Sequence, residues 1–168
     1  MNKQTLKYFV SYAHKNERIA HDFLGKFQDH CQLSKHFVYE KWMDTDIVLG
    51  EEWDPQIQRA AAECDFGLLL LSATYFNRWY ITEKEMPHFL NKDEDGKISI
   101  HKAIIPVSLV SFNLGGDLGG LEQVQIFQYQ TGYGKEAKAY SQFDQNKRND
   151  FVIELIKRME AKFASSNA

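Results

Sequence analysis

Two glutamates, Glu83 and Glu85, follow a pair of adjacent aromatic residues, Trp79 and Tyr80, shortly after an unbroken apolar run from Phe66 to Leu71. The run is short and stops at Ser72, so it reads as a parallel strand buried on both faces. An acid just beyond the carboxyl end of such a strand stands where open α/β sheets place their chemistry. Each of these residues also has an ordinary role. A glutamate early in a helix commonly faces the helix dipole, and Trp and Tyr more often pack than line a ligand. Their meaning depends on what else the fold brings beside them.

The elements that must position them alternate between strand and helix. Lys7–Ala13 is the first expected strand, rich in residues that favour extended backbone. Asn16 is placed to cap the helix behind it, whose Ile19, Ala20, Phe23, Leu24, Phe27 and Cys31 recur at helical spacing. Phe37–Trp42 is a second, more polar strand. Asp44–Trp53 reads as a loop with an apolar tip, Ile47, Val48 and Leu49, and such a tip suggests a protein contact. Asp54 and Pro55 are a strong helix start. Pro87 falls early in the helix that carries the acids, which sets its start near Glu83 or Lys84 and runs it through Met86, Phe89 and Leu90.

Asn91–Lys97 is a surface turn. Ala103–Val110 is the fourth strand, which Pro106 keeps from a fully paired centre. The glycine-rich stretch from Phe112 to Gly120 reads as a flexible connection. No helix pattern begins directly behind its glycines, which argues against a phosphate cradle. Val124–Tyr129 is a fifth strand, and Phe151 to Phe163 mark a closing amphipathic helix. This alternation predicts one domain over residues 1–168, core about 6–163. Its fold is a flavodoxin-like open parallel sheet of five strands, order 2-1-3-4-5, with helices on both faces. That order makes the first and third strands neighbours, so Ser11–His14, Ser72 and the loop after the second strand converge on one cleft.

Composition narrows the function classes. The chain has 168 residues, 43% of them hydrophobic, which suffices for a packed core. A net charge of -3 and a pI near 6.1 give no footprint for nucleic acid. No apolar run approaches the ~20 residues of a membrane span, and MNKQTLKYF lacks the apolar core of a signal peptide. Cys31 and Cys64 sit in apolar, helix-like patterns, which suits reduced thiols in a cytoplasmic protein. Their lack of paired spacing argues against a metal site. A phosphoacceptor receiver shares this sheet order but needs acids at the ends of strands one and three, where this chain has Ser11-Tyr12 and Leu71-Ser72.

Three stretches in order, FVSYAH (Phe9–His14), MDTDIVLGEEWDPQI (Met43–Ile57) and CDFGLLLLSATYF followed by WYITEKEM, resemble the TIR (Toll/interleukin-1 receptor) domain, its bacterial branch most closely. The resemblance implies cleavage of NAD, as substrate rather than cofactor, at the nicotinamide–ribose bond, with ADP-ribose or a cyclic isomer as product. Nicotinamide in NAD is already positively charged and leaves without a general acid. The ribosyl centre then resembles the oxocarbenium ion of glycoside hydrolysis, and one carboxylate can hold the ribose hydroxyls and steady that charge.

The resemblance assigns that carboxylate to Glu85, paired with Tyr80 eight residues after Ser72 and followed by Met86. The alternative is Glu83, four residues after Trp79. A helix turns 100° per residue, so the two acids face nearly opposite ways. Trp53, Trp79 and Tyr80 are candidate aromatic walls, and Asp44, Tyr12, Ala13 and His14 candidate substrate contacts. Asp44 has a commonplace alternative as a turn-forming acid, and His14 as a surface histidine. The family likeness further implies self-association through the Ile47–Leu49 loop, a role in bacterial antiviral defence, and a separate effector protein. Other members of the family are adaptors without catalysis.

Overall fold

The computed structural model describes residues 2–42, 47–49, 54–81, 90–92, 94, 98–100 and 103–166. Its centre is a parallel sheet. Strand β1 (Gln4–Ala13) pairs on one edge with β4 (Phe66–Leu71), which in turn pairs with β7 (Ala103–Ser108). On its other edge β1 carries β2 (Phe37–Lys41) along its first half and β3 (Ile47–Leu49) at its carboxyl end. The order is therefore β2-β1-β4-β7, with β3 continuing the β2 edge. A separate antiparallel hairpin joins β5 (Leu90–Lys92) to β6 (Ile98–Ile100).

Alternation along the strands builds two cores, because successive side chains leave opposite faces. Tyr8, Val10 and Tyr12 of β1 and Phe66, Leu68 and Leu70 of β4 face helices α1 (Glu17–Cys31) and α4 (Gln145–Ser166). Phe9 and Ala13, with Leu69 and Leu71, join Ile47, Ala60, Tyr75 and Phe76 on the side of helices α2 (Asp54–Glu63) and α3 (Ala73–Ile81). Gly67 is paired with Phe9. A Cβ at Gly67 would lie 2.2 Å from the Phe9 ring, so the missing side chain is what admits the ring. Phe23, Tyr140 and Phe151 pack edge-to-face on the opposite side, and Phe127 meets Phe151 in the same way.

Five expectations about the elements change. Among the described residues the sheet has four strand positions, not five: Val124–Tyr129 contributes one parallel bridge, Val107 to Phe127. The Phe127 N–H donates to the Pro106 carbonyl at 2.8 Å, and the Ser108 N–H donates to the Phe127 carbonyl at 2.9 Å. The next bridge down the edge needs an N–H from residue 106, which proline lacks, so the ladder stops.

Ile47–Leu49 is a short strand rather than an exposed loop tip, and Ile47 is 1% exposed. A helix starts at Ala73, directly behind β4, so Trp79 and Tyr80 lie on α3. Leu90 belongs to β5 and not to a helix; the expected helix start at Glu83 or Lys84 lies outside the described residues. Asn16 precedes α1 but makes no side-chain capping bond there.

The glycine-rich connection is held by a carboxylate. Glu122 Oε2 accepts from the Leu118 N–H at 3.2 Å and the Gly120 N–H at 2.9 Å, and Leu118 and Leu121 are buried. Gly120 sits at φ 105°, a conformation that glycine adopts without strain.

Candidate active site

The carboxyl ends of β1 and β4 lie side by side and are tied together by four polar side chains. Ser72 ends β4 and caps α3, its Oγ accepting from the Tyr75 N–H at 3.1 Å. The same hydroxyl donates to Asn16 Oδ1 at 2.6 Å. Asn16 closes the 3-10 turn His14–Asn16 that follows β1. Beneath it, Ser11 Oγ and the Tyr75 hydroxyl share a hydrogen bond of 3.1 Å. Ser11, Ser72 and Tyr75 are all buried. Burial raises the Tyr75 phenol well above its ordinary range, against the opposing pull of the Ser11 bond, so it stays a neutral hydrogen-bonding group.

This cluster fixes where α3 leaves the sheet. Such a bond adds about 1 kcal/mol when made, whereas orphaning a buried partner costs about 1–3 kcal/mol. The first turn of α3 is thus pinned to the end of β1, and the chain runs along α3 through Trp79 and Tyr80 towards the two glutamates.

The structure distributes the expected site residues unevenly. Tyr12 is buried on the α1 side, with its hydroxyl 3.2 Å from His21 Nε2, so its side chain is part of the core and not a cleft wall. Ala13 is buried as well, and His14, the next residue, is exposed. Val48 and Leu49 pair with Tyr12 and Ala13 as backbone of β3, which brings the chain after the second strand to the same sheet end. Trp79 and Tyr80 are placed on α3 by their backbone. Asp44, Trp53, Glu83 and Glu85 lie outside the described residues.

Sequence reading missed the Ser11–Tyr75 and Asn16–Ser72 bonds. The signal was present for the first: between Phe9 and Ala13, Ser11 occupies an inward position that demands a polar partner. Among the described residues, no group of His, Cys, Asp and Glu could hold a metal ion, and no helix is long and apolar enough to cross a membrane.

A parallel sheet of this order, with helices on both faces, defines an open α/β domain. The family model for the TIR domain matches residues 9–145, well over half of the chain, and the protein belongs to the TIR domain family. A search of curated proteins finds no match.

Proposed function

We propose that this TIR domain cleaves NAD at the bond between nicotinamide and ribose, releasing nicotinamide with ADP-ribose or a cyclic isomer. One observation carries the reading. Helix α3 springs from the carboxyl end of β4 beside the end of β1, pinned there by Ser72 and Asn16, and the sequence leads from it directly to Glu83 and Glu85. Glu85 is the proposed carboxylate that steadies the ribosyl cation, with Glu83 the alternative. Trp53, Trp79 and Tyr80 are the proposed walls for nicotinamide. His14, Asp44 and the backbone of Tyr12 and Ala13 are the proposed contacts to the rest of the dinucleotide. The leaving group departs already as a stable neutral base, so one carboxylate suffices.

The proposed setting is a cytoplasmic bacterial antiviral response in which TIR domains associate and the product reaches a separate effector protein. Both cysteines are buried, as suits thiols in a reducing compartment. Incubating the purified protein with NAD, with chromatography for nicotinamide and mass spectrometry for the second product, tests the reaction. Loss of NAD with equimolar nicotinamide supports it. Persistence of NAD with concentrated, associated protein favours the second reading, a TIR module that acts only by binding other TIR domains. That reading rests on β3, whose outer edge has no strand partner among the described residues and so offers backbone groups to another chain.

A further inference from the structure

A cavity of about 400 Å³ opens between the first turns of α1 and the start of α4. Three cations line it: Lys15, Arg18 and Arg148. Lys15 and Arg18 are exposed, and neither forms an ion pair among the described residues. Arg148 is held rigidly, its Nη1 donating to Asp22 Oδ2 at 3.2 Å and its Nη2 to the Ser141 carbonyl at 3.3 Å, with the guanidinium 5.0 Å over the Tyr140 ring. Its Nε–H is buried without an acceptor.

The cavity wall has one carboxylate, Asp22, and its oxygens are already occupied. Oδ2 also accepts from the Tyr140 hydroxyl at 2.5 Å, and Oδ1 accepts from Lys26 Nζ at 3.2 Å and Gln145 Nε2 at 3.4 Å. One acid is therefore shared by Lys26 and Arg148, and among the described residues Lys15 and Arg18 have no ion-pair partner at the rim. Asn16 and Gln145 add amide groups, and Ile19 an apolar patch. The volume falls in the range of small-molecule sites, ~300–1,000 Å³.

We propose that this cavity is a second ligand site, separate from the NAD cleft, for a small phosphate-bearing anion, held by Lys15 and Arg18 against the fixed guanidinium of Arg148. Arginine suits phosphate because its N–H groups form a planar fork. The site borders the proposed active region at the His14–Asn16 turn, where Asn16 Oδ1 holds the α3 cap.

Inorganic pyrophosphate and ADP-ribose, titrated calorimetrically into the full chain, test the proposal. Both are expected to bind, and the double variant Lys15→Glu/Arg18→Glu to bind pyrophosphate at least tenfold more weakly while keeping its circular dichroism spectrum. Arg158→Glu, on the exposed face of α4, and Glu85→Ala are expected to bind pyrophosphate as the parent chain does. The Arg158 control separates site binding from bulk charge, and the Glu85 arm separates this site from the NAD cleft. Absence of pyrophosphate binding, or pyrophosphate binding that survives the double reversal, overturns the proposal. So does equal weakening by Arg158→Glu. Loss on Glu85→Ala with no loss in the double variant assigns the anion to the NAD cleft and also overturns it.

Discussion

Ser72 Oγ lies 2.6 Å from Asn16 Oδ1, a bond between the end of β4 and the turn that follows β1 across 56 residues of sequence. It sets the origin of α3 against the first strand, and in sequence α3 is followed by Glu83 and Glu85.

Ser72→Ala removes the helix cap as well as this bond. The expected loss is about 1–2 kcal/mol, read as a lower urea midpoint with an unchanged slope. Nicotinamide release should fall further than stability alone explains, because α3 loses its anchor while the sheet persists. Asn16→Ala should reproduce the lesser part of both effects. A Ser72→Ala protein with parental stability would remove the cap from the account.

Ser11 and Tyr75 form a pair in which one deletion is worse than two. Tyr75→Phe leaves the Ser11 hydroxyl buried without a partner and is expected to cost about 1–3 kcal/mol. Adding Ser11→Ala should recover part of that loss. Equilibrium unfolding of the two single variants and the double variant gives the coupling directly, and strict additivity would contradict the pairing.

Gly67 and Phe9 test the packing of the other core. A Cβ at Gly67 meets the Phe9 ring at 2.2 Å, so Gly67→Ala should destabilise by about 1–3 kcal/mol through overpacking. Combining it with Phe9→Leu should cost less than the two changes summed. Thermal unfolding of the cycle checks this.

Asp22 supplies a pH dependence. Burial raises its pKa, but hydrogen bonds from Tyr140, Lys26 and Gln145, with the Lys26 charge, outweigh that and bring it below the ordinary carboxylate range. A lowered folded pKa means the stabilisation is fully present above the unfolded value and is lost as pH falls through the folded one. Asp22→Asn should therefore destabilise at pH 7, by about 1 kcal/mol for hydrogen bonds to a partly exposed charge. The gap to the parent chain should close as pH falls through the lowered folded pKa, where Asp22 takes up its proton. A gap of constant size from pH 7 to acid would contradict the ionised network.

The strands that carry the site were legible because burial on both faces leaves an unmistakable pattern. Phe66–Leu71 is uniformly apolar and every residue of it is buried. The edges were harder. Ile47–Leu49 lies between acids and reads as a loop, yet β2 leaves β1 after Tyr8, so the free edge at Ser11–Ala13 accepts a second short strand. Val124–Tyr129 has strand-like residues but meets an edge whose next donor is missing at Pro106. Ser72 looked like the end of one element when it is also the cap of the next, which hid α3. The polar ties Asn16–Ser72 and Ser11–Tyr75 join residues far apart in the chain, and only the register of β1 against β4 brings them together.

Nicotinamide release from NAD by the parent chain, Glu85→Ala and Glu83→Ala, compared at equal and high protein concentration, bears most directly on the chemistry. Release is expected from the parent chain and from Glu83→Ala, and its abolition in Glu85→Ala with the fold intact. Release by Glu85→Ala at the parental rate would contradict the role proposed for Glu85.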